Sequence, residues 1–302
     1  LSITDTAHWC KLVGLGVEIK YMQIEEIKKI NKQEASEFVS KHHYRKTMPK
    51  LNKYFYGGFY KNELVAVITF GYGTQPMATI KKMFPTLTTT DYLEVGRLCL
   101  LDELPKNSES NFMSRVFKML EQETTIKVIF SWSDGIMGKP GFVYQATNFL
   151  YAGKITTDVY ITKEGYLIHP RSAKKLLEAN AFFEHKEKLH WLTDRFCRKN
   201  GIIRLKGFQF KYVYLLGNKK QKKELKKLSS VPLTLNYPKM ESIVFFSKND
   251  INKYSPCEFP KYTLTLSAEE VSRAIRIDSI SEGLVHFQYS AQPIQEELKF
   301  NK

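Results

Sequence analysis

The chain has 302 residues, of which 43% are hydrophobic and 25% are charged, a composition typical of a folded globular protein. A formal net charge of +15 favours a polyanionic partner, because each phosphate contact made by Lys or Arg releases bound counterions. The alternative is a basic enzyme with no nucleic-acid partner. No apolar run approaches the ~20 residues of a membrane helix. The four cysteines include no CxxC pair, which argues against a zinc knuckle or a disulfide scaffold and favours a reducing cytosol.

The positive charge is concentrated in the first four fifths of the chain. Residues 241–302 hold seven Lys or Arg and nine Asp or Glu, so that residues 1–240 carry +17. We therefore predict a basic domain over 1–240 and a C-terminal extension over 241–302. The lysine-rich stretch NKKQKKELKK (218–227) is interpreted either as a solvated helix face or as a phosphate-contacting element.

Hydrophobic periodicity predicts the secondary structure in chain order. Apolar spacing indicates one or two helices over 23–40, followed by the basic loop KHHYRKTMPK and a hairpin of strands over 54–60 and 64–73. Next come a strand over 92–101, a helix over 112–123, a buried strand over 127–134 and a helix over 142–153 closed by Gly153. Further strands are predicted over 158–162, 165–169 and 210–216. This order predicts a mixed α/β fold.

The segment that runs from the strand at 92–101 into the next helix could bind an anion. Exposed N–H groups and the helix dipole make a helix start a ready anion site. In acyl-CoA-dependent N-acetyltransferases of the GNAT class, such a strand–loop–helix cradles the CoA pyrophosphate, although the usual RxxGxG/A signature is missing here. Ser110 is either an N-cap or a ligand contact. Arg97, in mid-strand, either pairs with Glu94 or Asp102 or grips a phosphate or carboxylate.

Two other places carry side chains capable of catalysis. Asp134 follows an apolar strand, where open α/β sheets place their chemistry, but it could equally cap the next element. His43 lies in the basic loop, and one His with one carboxylate from elsewhere would make a partial iron or zinc site.

Three motifs resemble the Mom family of phage DNA-modification proteins. They are HHYRKTMP, LEVGRLCLLDELPKNSES and SWSDGIMGKPGFVYQATNFLYAG, and the similarity covers roughly residues 20–240. The most specific piece is the Ser–Trp–Ser–Asp strand end followed by a Gly-rich turn and YQATNFLYAG. The resemblance implies a GNAT-like fold with a mostly antiparallel central sheet flanked by helices.

The resemblance also implies an activity and a set of site residues. The activity is transfer of a carbamoylmethyl-like group to the exocyclic N6 amine of adenine in double-stranded DNA, which hides phage DNA from restriction enzymes in the cytoplasm of the bacterial host. An acyl-CoA or related donor and Fe²⁺ are implied cofactors. Carried over to this sequence, the implied catalytic residues are His43, Tyr44, Asp134 and Tyr144, the donor-binding residues are Arg97 and Ser110, and the metal ligands are His43 and Asp134.

The chemistry of adenine agrees with this resemblance. The N6 lone pair is delocalised into the ring, so a donor must be activated and a base must take the proton. Because the amine is paired in a duplex, we expect the base to be flipped out and stacked on Tyr44, Trp132 or Tyr144. The residues leave open whether Asp134 and His43 act as bases or as metal ligands. Two alternatives are a GNAT-like enzyme acting on another amine and a basic DNA-binding protein without catalysis.

Overall fold

The structure is a computed structural model that describes residues 22–43, 46–180, 191–250, 253–258 and 264–288. Its contacts divide the chain into two compact units. The first unit draws its described residues from Leu1–Trp132, Gly141–Gly153 and Lys211–Tyr237, and the second from Ser133–Pro140, Lys154–Phe210 and Pro238–Lys302. Residues after Pro238 therefore share a unit with residues 154–210, and the domain boundary near residue 240 stays a prediction.

The first unit is built on a sheet that is mostly antiparallel. Strands β1 (Glu26–Lys29), β2 (Asn52–Tyr60), β3 (Glu63–Gly71) and β4 (Tyr92–Leu100) pair antiparallel in that order. β4 then pairs parallel with β5 (Val128–Ser133). The ends of β8 (Ile203–Leu215) and β6 (Leu150–Ile161) that belong to this unit follow β5 in the strand order.

Helices cover both faces of this sheet. On one face, α1 (Lys32–His42) packs Phe38 and Val39 against Val67 and Cys99, and α2 (Pro76–Met83) packs against Tyr92 and Phe130. On the other face, α3 (Ser108–Glu123) brings Phe117 against Phe70 of β3. The unit also contains α4 (Phe142–Ala146) and α7 (Lys219–Lys227). Burial of these apolar side chains is the dominant stabilising term.

The second unit is a smaller α/β arrangement. The remaining part of β6 pairs antiparallel with β7 (Tyr166–Ile168), which pairs parallel with β11 (Leu264–Leu266). β8 pairs antiparallel with β9 (Phe245–Asp250), and β9 with β10 (Lys253–Cys257). A separate hairpin joins β12 (Ile275–Ser279) to β13 (Leu284–Phe287). Helices α5 (Lys174–Glu178), α6 (Asp194–Lys199) and α8 (Ala268–Ala274) complete this unit, and all three contribute to one of its cores.

Local sequence explains several of these boundaries. Asn31 and Asn218 form capping boxes with Glu34 and Gln221, so α1 and α7 begin directly after them. The β2–β3 hairpin turns at Lys61 and Asn62, which both have positive φ, as a two-residue turn between twisted strands requires.

The structure confirms the predicted mixed α/β class, with a mostly antiparallel sheet flanked by helices, and corrects two of its elements. The segment 23–40 contains strand β1 before helix α1, where only helix was expected. The helix expected over 142–153 ends at Ala146, because Asn148 adopts a left-handed conformation (φ 61) and Leu150 begins β6. Gly153 therefore lies within a strand and does not close a helix. Among the described residues, no helix is both long and apolar enough to cross a membrane.

Candidate functional site

The central feature of the first unit is the place where its two parallel strands part. The ladder between β4 and β5 joins Tyr92 to Val128 and ends at the pair of Glu94 and Phe130. β4 continues beside β3 to Leu100. An opening beside the carboxyl ends of parallel strands is where α/β sheets place their ligands.

A cavity of about 310 Å³ lies beside this opening, on the α3 face of the sheet. Its floor is apolar and comes from Leu98 and Leu100 of β4 with Val143 of α4. Its rim is polar, and Asp102, Ser108 and Glu109 line it at the start of α3. The predicted strand–loop–helix therefore does enclose a cavity next to the N-terminus of a helix.

Ser110 lies within α3 and not before it. The helix begins at Ser108, its N-cap is Asn107 in a left-handed conformation, and Ser110 Oγ donates a hydrogen bond to the Asn107 carbonyl at 3.0 Å. The expected N-cap role of Ser110 is therefore wrong, because the helix starts four residues earlier than the apolar periodicity indicated. The first N–H groups of an α-helix have no acceptor within the helix, so the first turn of α3 still offers donors to an anion.

Arg97 lies on the opposite face of β4 from the cavity. Its guanidinium donates to the carbonyl oxygens of Gly96 at 2.8 Å and Thr47 at 2.6 Å. Hydrogen bonds to main-chain carbonyls thus take the place of the ion pair with Glu94 or Asp102 that the sequence suggested. The Thr47 contact ties the basic loop after α1 to this face of the sheet.

A group of polar residues shares that face, which we call the polar sheet face and define as Asn52, Thr69, Glu94 and Arg97. Glu94 pairs with Gly71 and Arg97 pairs with Thr69, because a bulge at Gly96 inserts one residue into β4. Alternate residues of β3 point to the same side, so Glu94 and Arg97 do too. Asn52 Nδ2 donates to Thr69 Oγ1 at 2.7 Å.

Glu94 is the most perturbed carboxyl group of this unit. Burial raises its pKa to about 7, although a hydrogen bond from the Thr79 side chain acts in the opposite direction. The carboxylate also lies against Gly73, where a Cβ atom would collide with it. Among the described residues, no Lys, Arg or His forms an ion pair with Glu94.

The two residues expected after α1 are described unequally. His43 is the C-cap of α1, half-buried in the first unit, and its N–H donates to the Val39 carbonyl. Tyr44 lies outside the described residues. The predicted roles of both residues stay predictions.

Asp134 follows β5 in the second unit and opens a short 3-10 turn (Gly135–Met137). Its main-chain carbonyl accepts from Met137 and Lys139, but its side chain does not cap the turn. The carboxylate instead accepts a hydrogen bond from Gln209 Nε2 at 2.8 Å. The implied joint role of His43 and Asp134, which requires that they share a cleft, stays a prediction, since the two residues belong to different units.

Tyr144 belongs to an aromatic cluster of the first unit. Its ring lies 5.3 Å from the rings of both Phe149 and Tyr212, measured between centroids. Trp132, at the end of β5, is half-buried and has the Lys211 ammonium group 5.4 Å from its ring centroid. Both rings therefore pack against other side chains. Stacking of either ring on a flipped base stays a prediction.

Helix α7 forms the most basic surface element of the first unit. It buries Leu225 in the core and contains six lysines, of which Lys222 lies over the Tyr214 ring. The other five are exposed, namely Lys219, Lys220, Lys223, Lys226 and Lys227. After α7, Ser230 donates to main-chain carbonyls at the end of α2, which adds Lys81 and Lys82 to the same basic surface.

The structure gives no support to the implied iron. Among the residues that it describes, no group of three or more His, Cys, Asp or Glu side chains could hold a metal ion. One His with one carboxylate does not define an iron site. The described residues therefore do not fit the metal, and iron has no part in the reaction proposed below.

Sequence reasoning missed the polar sheet face. Glu94 was considered only as an ion-pair partner for Arg97. Alternation along an unbroken strand places residues 94 and 97 on opposite sides, so the pattern gave no sign of a shared polar face. The available signal was the glycine between them, which in a strand often marks a bulge.

Two comparisons relate the sequence to known proteins. The model of the Mom protein family matches residues 25–239. A protein of Escherichia phage Mu described as "Methylcarbamoylase mom" is 28% identical over 127 residues, which are 42% of this chain and 52% of the relative. The match thus spans about half the length of that relative.

Solved structures with a related arrangement are acetyltransferases. An N-acetyltransferase from Staphylococcus aureus Mu50 covers 64% of this chain and 98% of its own at 12% identity, with a TM-score of 0.33. An acetyltransferase from Bacillus subtilis in complex with CoA covers 63% of this chain and 98% of its own at 9% identity, with a TM-score of 0.32. Likenesses this distant say nothing about the geometry of a site. The family match is of a different kind, since it extends over most of the chain and includes the residues on both faces of the β4–β5 opening. The chain belongs to the Mom protein family.

Proposed function

We propose that this chain is a transferase that adds a small acyl-derived, carbamoylmethyl-like group to the exocyclic N6 amine of adenine in duplex DNA. In a bacterial host, such a modification would protect phage DNA from restriction enzymes. The observation that carries the proposal is the β4–β5 opening, with the cavity on one face of β4 and the polar sheet face on the other. A transferase needs this arrangement, because donor and acceptor must meet at one point from two directions.

The cavity is the proposed donor site. Leu98, Leu100 and Val143 would contact the apolar part of an acyl-CoA or related donor, and the N–H groups in the first turn of α3 would bind its anionic group. Ser110 lies in that first turn, whereas Arg97 stands on the opposite face of the strand that forms the cavity floor and would affect the donor only through that strand. The negative charges of Asp102 and Glu109 on the rim make this site less favourable for a pyrophosphate than the Gly-rich loop of ordinary acetyltransferases. The donor proposed is therefore either an acyl-CoA or a related compound.

The acceptor base would enter on the side of the polar sheet face. A flipped adenine needs an aromatic surface to replace its stacking partners, and Tyr44, Trp132 and Tyr144 are the proposed residues. Asp134 and His43 are proposed to contact the base and to assist its proton transfer. The hydrogen bond from Gln209 fixes the orientation of the Asp134 carboxylate.

The basic surface of α7 and the end of α2 is proposed to bind the DNA phosphates. Five exposed lysines on one short helix give the spacing and charge that backbone contacts require. Lys211 lies near this surface, and its pKa is lowered mainly by burial and to a smaller extent by the charge of Lys82.

Nucleoside mass spectrometry of DNA from cells expressing the chain tests the proposal. We expect a new adenine nucleoside of higher mass in cells with the wild-type protein and a much smaller amount of it with Asp134→Asn. A protein that binds DNA but leaves every nucleoside unchanged would contradict the transferase assignment, and an unchanged nucleoside pool beside a modified protein or metabolite would show that the acceptor is another amine.

A further inference from the structure

We propose that Glu94 is a catalytic residue whose carboxylate accepts the proton released by the adenine N6 amine at the point where β4 and β5 part. This inference rests on the proposed function and deepens it, since it names the group that receives the proton.

The position of Glu94 in the sheet is the first argument. It is the last β4 residue that pairs with β5, opposite Phe130, so its side chain stands where the two strands cease to touch. The donor cavity begins four residues later on the other face, with Leu98. The Glu94 side chain therefore lies on the face of β4 proposed for the acceptor, whereas the proposed donor cavity lies on the opposite face.

The surroundings of the carboxylate are the second argument. Gly73 leaves room for it, and a side chain at that position would fill the space that the carboxylate occupies. Its recorded hydrogen-bonding partner is a neutral hydroxyl, that of Thr79 on α2. A carboxylate kept for structure in a protein interior is normally paired with a cation, whereas one held in a half-buried polar niche without such a cation is able to take a proton.

The neighbours of Glu94 are the third argument. Asn52 Nδ2 and the main-chain N–H of Arg97 both donate to Thr69 Oγ1 on the same face. The Arg97 guanidinium donates to the Thr47 carbonyl and so ties the loop after α1 to this face. Fixed neighbours let a catalytic group keep its geometry without reorganisation.

The reaction balances with Glu94 in this role. The N6 lone pair attacks the electrophilic carbon of the group that the activated donor carries, the new N–C bond forms, and the bond from that carbon to the leaving group breaks with its electron pair on the leaving group. The N6 proton passes to the Glu94 carboxylate and from there to the leaving group or to water. Burial raises the pKa of Glu94 to about 7, which matches a base that works near neutral pH.

The test measures how the rate of adenine modification by the full chain depends on pH. Duplex DNA is the acceptor, and an extract of wild-type cells supplies the donor. We expect Glu94→Gln to lower the rate at pH 7.5 by ~10²–10⁴-fold, with DNA affinity within about twofold of wild type. The acid limb of the wild-type profile should have an apparent pKa near 7. It should persist in Asp134→Asn at its lower rate and disappear in Glu94→Gln. The exposed Glu63→Gln is the matched control and should behave as wild type.

The outcomes separate the two proposals. Modified adenine in wild type with an unchanged rate and acid limb in Glu94→Gln would overturn this inference alone, whereas no modified adenine in wild type would contradict the proposed function. Carboxyl NMR titration of the folded wild-type chain keeps the inference testable if the Gln variant does not fold. Titration of Glu94 near 7 supports it, and titration below 5 overturns it.

Discussion

The half-buried carboxyl group of Glu94 links the stability of the first unit to pH. Glu94 is kept partly out of water on the polar sheet face, and burial raises its pKa from the ordinary 4.5 to about 7. The folded state therefore holds this proton more tightly than the unfolded chain. The contribution of Glu94 to stability is fully present below about pH 4.5 and is lost as the pH rises through 7, because the unfolded chain ionises first.

This linkage predicts a pH-dependent difference between wild type and Glu94→Gln. At about 1.4 kcal/mol per pKa unit, the shift of Glu94 from 4.5 to about 7 amounts to roughly 3.5 kcal/mol for the ionised group. The free energy of unfolding of wild type, relative to Glu94→Gln, should fall by about 2.5 kcal/mol between pH 5 and pH 8, because part of the loss occurs below pH 5. Urea denaturation at both pH values measures it, and a constant difference would show that Glu94 is not perturbed.

Arg97 and Ser110 should separate donor use from DNA binding. Arg97→Ala removes the hydrogen bonds to the Gly96 and Thr47 carbonyls, and Ser110→Ala alters the first turn of α3. We expect both variants to lower the modification yield at least tenfold while DNA affinity changes less than threefold, because neither residue lies on α7. Equal losses of yield and affinity in folded protein would be incompatible with donor-side roles.

At the scale of elements, short segments with special backbone conformations position the site. Helix α4 begins after Gly141, which has φ +95, and it ends before Asn148, which has φ 61. These two turns let five residues carry Tyr144 and Val143 between β5 and β6. The sequence signal for helix over 142–153 was misleading because apolar periodicity does not reveal where the backbone turns left-handed.

Substitution of Gly141 should show how tightly α4 is held. A Cβ atom at Gly141 would lie 2.6 Å from Cε2 of the Tyr212 ring, in addition to the backbone cost of positive φ. We expect Gly141→Ala to lower the free energy of unfolding by about 2–3 kcal/mol. Gly138→Ala is the matched control, because Gly138 has φ +70 and its Cβ would meet no atom within 4 Å. It should cost about 1 kcal/mol, and equal losses in the two variants would rule out the predicted contact with Tyr212.

Helix α7 should account for a defined share of the salt dependence of DNA binding. With roughly 6–10 phosphate contacts, affinity for duplex DNA should fall ~10³–10⁵-fold from 50 to 200 mM salt. Changing Lys219, Lys220 and Lys223 to Gln should reduce the slope of log K against log salt by about 0.9 per lysine. The same change at Lys28, Lys29 and Lys61, on β1 and the first hairpin turn, should leave the slope unaltered. A similar loss in both triple variants would indicate binding by net charge alone.

At the scale of the whole molecule, the sequence predicted the parts whose signals are local. The hairpin of β2 and β3, strands β4 and β5 and the body of helix α3 follow from hydrophobic periodicity, and the family resemblance agrees with the family match. The sequence did not predict that each unit is assembled from separate segments of the chain. Contacts between distant segments such as 154–210 and 238–288 leave no short-range pattern. The polar sheet face was missed because one bulge at Gly96 changes which residues of β4 point to the same side of the sheet.

The most direct measurement is made with the purified chain and two duplexes that differ in one amino group. One duplex contains adenine, and the other contains purine, which lacks the 6-amino group, at the same positions. Each is incubated with the chain and a donor-containing extract and is then digested for nucleoside mass spectrometry. The account predicts a mass increase on adenine, none on purine, and comparable binding of both duplexes. An adduct on the purine duplex, or none on either duplex despite binding, would contradict transfer to the N6 amine.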